Sequence, residues 1–138
     1  MQENIKLKMT LPKIQNIELV AIEGMDRMAK HMGIPDEKIS EAHILVTEAV
    51  INALEHSGQK RPKVRLEFEL TQEKLIIFVR DYGKGFEPEQ VEEPDINKKM
   101  GSQNKRGWGL KLMKSMSDDF EIESSEHGTK ITIIKNLV

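Results

Sequence analysis

The sequence predicts an α+β fold, a two-layer sandwich in which a mixed β-sheet carries its helices on one face. Three observations predict it. Four of the five strand-like segments come in adjacent pairs, two amphipathic helices separate the first strand from the first pair, and one strand is apolar on both faces. A chain of 138 residues suits a single domain spanning 1–138.

The elements follow in order. Ile5, Leu7, Met9 and Leu11 alternate with Asn4, Lys6, Lys8 and Thr10, the period of a strand with one buried face, and Pro12 stops it. Ile17, Val20, Ala21, Met25, Met28, Ala29 and Met32 recur at three- and four-residue spacing, which marks a helix closed by Gly33. Pro35-Asp36-Glu37 suits the first turn of a second helix, running to about Ser57. Val64, Leu66, Phe68 and Leu70 alternate with charged residues in the next strand. The run 75–79, apolar on both faces, belongs in the middle of the sheet. Polar chain without a sustained period fills 86–106, a length that is usually functional or mobile. Leu110, Met113 and Met116 fit a short helix, Phe120 and Ile122 a strand, and Gly128 opens a last strand with Thr129, Ile131 and Ile133 on one face.

Composition narrows the function. A net charge of −2 argues against bulk electrostatic capture of DNA or of anionic membranes. The absence of cysteine rules out disulfides, thiolate metal sites and thiol nucleophiles. Residues 1–10 carry no continuous apolar run, and the longest such run, 75–79, is too short to span a bilayer. The expected setting is the cytoplasm, with no direct nucleic-acid partner and no membrane.

Three motifs carry chemistry. The first is Thr47-Glu48-Ala49-Val50-Ile51-Asn52-Ala53-Leu54-Glu55-His56 in the second helix. Glu48 and Asn52 stack on one face, opposite a core face of Ala42, Val46, Ala49, Val50 and Ala53. Such a stripe reads either as a solvated face or, with Ile44, Leu45 and Ile51 flanking it, as the wall of a pocket. In a pocket, a carboxylate serves as general base and an amide oxygen ligates Mg²⁺. The second motif, Arg80-Asp81-Tyr82-Gly83-Lys84-Gly85-Phe86, follows the central strand. It reads as a plain turn, or as a place where backbone approaches a flat ligand and the Asp81 acceptor meets the exocyclic amino group of adenine. The third, Lys105-Arg106-Gly107-Trp108-Gly109-Leu110-Lys111, opens a helix. It reads as a hinge, or as a phosphate site where free N–H groups and the helix dipole join the charges of Lys105 and Arg106, with Lys98 and Lys99 nearby.

Taken together and in this order, the motifs resemble those of the GHKL or Bergerat-fold ATPases, the group of histidine-kinase catalytic domains, gyrase-type ATPases and Hsp90. The segment from Glu48 to His56 looks like their N-box, Asp81-Tyr-Gly-Lys-Gly85 like the first glycine box, Gly107-Trp-Gly109-Leu110 like the second, and Gly128-Thr129 like a late Gly-Thr element. None of His31, His43, His56 and His127 lies in the acid and proline context of a phosphoacceptor box, so the resemblance does not extend to a complete sensor kinase. Size and the continuation from Gly109 resemble the anti-sigma factor serine kinases of the RsbW and SpoIIAB type.

That resemblance implies a Bergerat fold with an ATP lid over about 86–106. It implies ATP and Mg²⁺ as ligands, Glu48 as catalytic base, and Asn52 as Mg²⁺ ligand. Asp81 would read adenine, and Thr129 would support the adenine site. Gly83, Gly85, Gly107 and Gly109, with Leu110 in the second box, would shape the backbone. Lys105 and Arg106 would meet phosphate, Arg106 at the γ position. The implied partners are a sigma factor, an anti-anti-sigma STAS-domain protein phosphorylated on serine, and a second copy in a homodimer. The alternative is a nucleotide-gated module that captures a regulator and transfers no phosphate.

Overall fold

The computed structural model describes residues 4–58, 62–84 and 105–138, the stretch 105–108 by its backbone alone. Strand β1 (Ile5–Pro12) leads into helix α1 (Glu18–His31) and the longer α2 (Asp36–His56). Strands β2 (Lys63–Leu70) and β3 (Lys74–Asp81), helix α3 (Lys105–Met116) and strands β4 (Asp119–Ser125) and β5 (Gly128–Asn136) complete the order. Each element expected from the sequence is present, with ends that differ by a few residues.

The sheet runs β1-β2-β3-β5-β4, so the strand that is apolar on both faces is the middle one of five. The two-layer α+β class holds, but the mixed sheet does not: all four pairings between the described strands are antiparallel. The reason lies in the connection between β1 and β2. Two helices fill it rather than one, so the chain re-enters the sheet at the end where β1 leaves it. A single crossover helix would have made the pair parallel.

One face of the sheet is the core. Val64, Leu66, Phe68 and Leu70 of β2, Leu75, Ile77 and Val79 of β3, and Ile131 and Ile133 of β5 are all buried. Against them α2 lays Ala42, Val46, Ala49, Val50 and Ala53, the face read as core from its spacing. Those small side chains let α2 sit close to the strands while α1 and α3 pack on its two flanks. Full burial of side chains such as Phe68 and Leu66 contributes about 1.5–3 kcal/mol each. Ile44 and Ile51, read as pocket flanks, are exposed, whereas Leu45 is wholly buried.

Two polar ties fix the helices. His43 Nε2 lies 3.0 Å from Asp26 Oδ1 and joins α2 to α1. Lys135 of β5 sits 2.7 Å from Glu41 Oε2 of α2 and donates to the Met116 carbonyl at the end of α3, 2.9 Å away. With α2 held on both sides, its C-terminal half, the end of β3, the start of α3 and the start of β5 meet at one end of the sheet.

Candidate functional site

Asp81 closes β3 on the inner face, where only 2 % of its surface is exposed. Its Oδ1 accepts the Gly83 N–H at 2.9 Å, which folds the chain into a tight turn after the strand. Burial pushes the Asp81 carboxyl above its ordinary value. Hydrogen bonds from the backbone N–H groups of Gly83 and Thr129, and the Arg80 charge, pull the other way.

Glycine is required on both sides of this aspartate. A Cβ on Gly83 would lie 1.7 Å from the His56 carbonyl oxygen, so the turn rests directly on the backbone end of α2. Gly128 holds φ +123, and a Cβ there would lie 2.1 Å from the Asp81 carbonyl oxygen. Thr129 is buried beside it, with its hydroxyl 2.9 Å from that of Ser124. Sequence reasoning matched Gly128 to a family element but assigned it no place in the site. Its signal is local: glycine opening a strand whose neighbour ends on the aspartate.

On α2, Glu48 and Asn52 stand one turn apart, as their spacing requires. Glu48 is half-buried, and burial, with the neighbouring Glu55 carboxylate, raises its carboxyl above the ordinary value. Asn52 is 4 % exposed, and both Oδ1 and Nδ2 are buried without a hydrogen-bond partner among the described residues. A buried amide left unpaired costs roughly 1–3 kcal/mol. Such a group on a polar stripe is open to a water, an ion or a ligand as its partner.

The second glycine turn reaches the same spot. Helix α3 begins at Lys105, so Lys105, Arg106 and Gly107 form its first turn, described by backbone only. Gly109 is buried against α2, and a Cβ on it would stand 3.0 Å from Glu48 Oε2. Leu110 is buried in the core beneath. Gly85, Lys98, Lys99 and the expected lid up to residue 104 lie outside the described residues.

The fold therefore gathers Glu48, Asn52, Asp81, Gly83, Gly109 and Thr129 around one half of α2. From Glu48 to His56, whose carbonyl carries the Gly83 turn, the helix rises about 12 Å. No cluster of three or more His, Asp or Glu able to hold a metal occurs among the described residues. The Asn52 amide oxygen is a hard donor of the kind that Mg²⁺ accepts alongside phosphate oxygens. Among the described residues no helix is long and apolar enough to cross a membrane.

Residues 14–135 match the histidine kinase-like ATPase domain family. Among curated proteins, a serine-protein kinase RsbW of Bacillus cereus is 28 % identical over 127 residues, covering 88 % of this chain and 79 % of that one. An anti-sigma F factor of Clostridium beijerinckii is 30 % identical over 109 residues, covering 72 % and 71 %. Among solved structures, the RsbU and RsbW domains of a Mycobacterium tuberculosis protein superpose with a TM-score of 0.71 at 18 % identity, over 96 % of this chain and 32 % of that one. That structural likeness speaks for the fold, and this chain spans about a third of the mycobacterial one.

Proposed function

The chain belongs to the histidine kinase-like ATPase domain family, and from that premise we propose that it is an ATP-dependent protein serine kinase and anti-sigma factor. In this reading it holds a sigma factor, phosphorylates a serine of an anti-anti-sigma STAS-domain protein, and so regulates transcription by partner switching. The names of the Bacillus and Clostridium relatives support it. The protein acts as a single domain in the cytoplasm, as a homodimer, without direct contact to nucleic acid or membrane.

One observation carries the proposal: the buried amide of Asn52, without a partner among the described residues and one helical turn from Glu48, the side chain that meets Gly109 of α3. Mg²⁺, when bound, would neutralise phosphate charge, and the Asn52 Oδ1 would hold it. The Asp81 carboxylate accepts a hydrogen bond from the adenine amino group, supported by Thr129. The backbone at Gly83, Gly85, Gly107 and Gly109 lies close to the nucleotide, with Leu110 packed beneath it. The first turn of α3, with Lys105 and Arg106, meets the phosphates under a lid of about 86–106.

Glu48 takes the proton of the incoming serine hydroxyl. The serine oxygen then bonds the γ-phosphorus, the bond from that phosphorus to the β–γ bridging oxygen breaks, and ADP leaves. Most of the acceleration comes from alignment and charge neutralisation. Incubation with labelled ATP and candidate STAS proteins tests the reading. Phosphoserine on a STAS protein is the expected product. Stable nucleotide-dependent capture of a regulator without any phosphoserine would replace the kinase with a nucleotide-gated binding module.

A further inference from the structure

Two isoleucines of α2 stand where packing does not ask for them. Ile44 is 43 % exposed and Ile51 36 %, although the other large apolar side chains of this helix are buried. A β-branched side chain loses rotamer freedom in a helix, so an exposed isoleucine gains neither burial nor helix propensity.

The helix gives the pair a definite place. Residues seven apart share a row about 10.5 Å long. Glu41 and Glu48 form the row toward α3: Glu41 meets Lys135, which bonds the end of that helix, and Glu48 meets Gly109. His43 marks the side toward α1 through its contact with Asp26. Ile44 and Ile51 form the row between these sides, turned outward. Glu48 borders that row, four residues after Ile44 and three before Ile51.

We propose that Ile44 and Ile51 form the seat for the acceptor segment of the phosphorylated protein, and that this segment carries apolar side chains beside its serine. The inference rests on the kinase reading above and names what that site recognises. Continuity with Glu48 argues for this occupant. A serine hydroxyl that gives its proton to Glu48 comes within about 2.6–3.2 Å of the carboxylate. Gly109 closes the α3 side of Glu48, and the core lies beneath α2. Among the described residues, the outward row is the side left for a protein chain to cross.

In-line transfer also sets the entering oxygen opposite the leaving one. In the reading above, ADP extends toward Asp81 and the His56 end of α2. The serine then arrives over the other end, where Ile44 stands one turn before Glu48. The spacing fits an extended segment. Such a segment alternates its side chains and rises about 3.3 Å per residue, so those two places from the serine share its side, about 6.6 Å away. Along α2, Ile44 lies about 6 Å to one side of Glu48 and Ile51 about 4.5 Å to the other.

Steady-state phosphorylation by the full chain tests the proposal, with the STAS-domain protein that yields phosphoserine as acceptor and its concentration and that of ATP varied separately. Ile44→Ser/Ile51→Ser should raise the KM for the acceptor at least tenfold and leave the KM for ATP within twofold. Ile44→Val/Ile51→Val, still apolar, should keep both near the parent values. Aspartate in place of the acceptor's apolar residues two places from its serine should raise the KM of the parent enzyme by a similar factor. It should add little in the serine variant, because both changes remove one contact. An unmoved acceptor KM, a rise confined to the KM for ATP, or an acceptor serine with no apolar residue within two places would overturn the seat. Where the STAS-domain protein is bound without phosphoserine, the dissociation constant of that complex replaces the KM. A tenfold rise then keeps the seat and removes the kinase, whereas no change removes the seat as well. A chain that neither binds nor phosphorylates STAS-domain proteins removes both.

Discussion

Asn52→Leu separates stability from function at one side chain. Both polar atoms of Asn52 are buried without partners among the described residues, so the ligand-free protein carries the desolvation cost of an amide. A branched apolar side chain of similar outline removes that cost. The ligand-free variant should be about 1–2 kcal/mol more stable than the parent, a rise in Tm of roughly 4–8 °C for a domain of this size. The parent should gain about 2.7 kcal/mol from Mg–ATP at a hundred times its Kd, whereas the variant should gain little or nothing. Calorimetry with and without Mg–ATP reads both quantities in one experiment. A variant less stable than the parent in the absence of ligand would mean that Asn52 is satisfied within the folded chain. The argument for a ligand at that position would then fail.

Other predictions follow from the same geometry. Glu48→Gln should lower phosphotransfer by at least about a hundredfold while leaving Mg–ATP affinity near the parent value, measured by labelled transfer and by titration calorimetry. The folded chain holds the Glu48 proton more tightly than the unfolded one, so this group's contribution to stability falls as pH rises from the ordinary carboxyl range through the raised folded value. The Gln variant should therefore be the more stable of the two at neutral pH. Its advantage should vanish in acid, where urea titrations of both proteins should coincide. Asp81→Asn should weaken ATP binding by roughly ten- to a hundredfold through loss of a charge-assisted acceptor, and unchanged affinity would place adenine elsewhere. Gly83→Ala would drive a methyl into the His56 carbonyl, at a cost of about 2–4 kcal/mol in urea denaturation together with loss of nucleotide binding.

Much of the fold was legible because burial imposes a period. The alternation of Val64, Leu66, Phe68 and Leu70 located β2, and the Ala42, Val46, Ala49 and Ala53 face located the packed side of α2. Alternation alone did not reveal strand direction, since it is the same whichever way a strand runs. It followed from the two helices between β1 and β2. At the site, Glu48, Asn52 and Asp81 could be named from spacing and residue chemistry. The contact of Gly83 with the end of α2, and of Gly128 with Asp81, could not, because both depend on elements far apart in the chain. Ile44 and Ile51, which flank the polar stripe in the sequence, are exposed in the fold, and their spacing alone could not show whether they face core or solvent.

The bond from Lys135 to the Met116 carbonyl has a mechanical consequence. It tethers α3 at the end remote from Glu48, through a lysine that is also braced by Glu41. A helix of 12 residues is about 18 Å long. Swung about such a fulcrum by only about 5°, its opening turn would travel about 1.5 Å, half the width of a water molecule. Gly109, seven residues from Met116, would move about 0.9 Å beside Glu48 in the same swing, while the hinge end and the strand behind it stayed still.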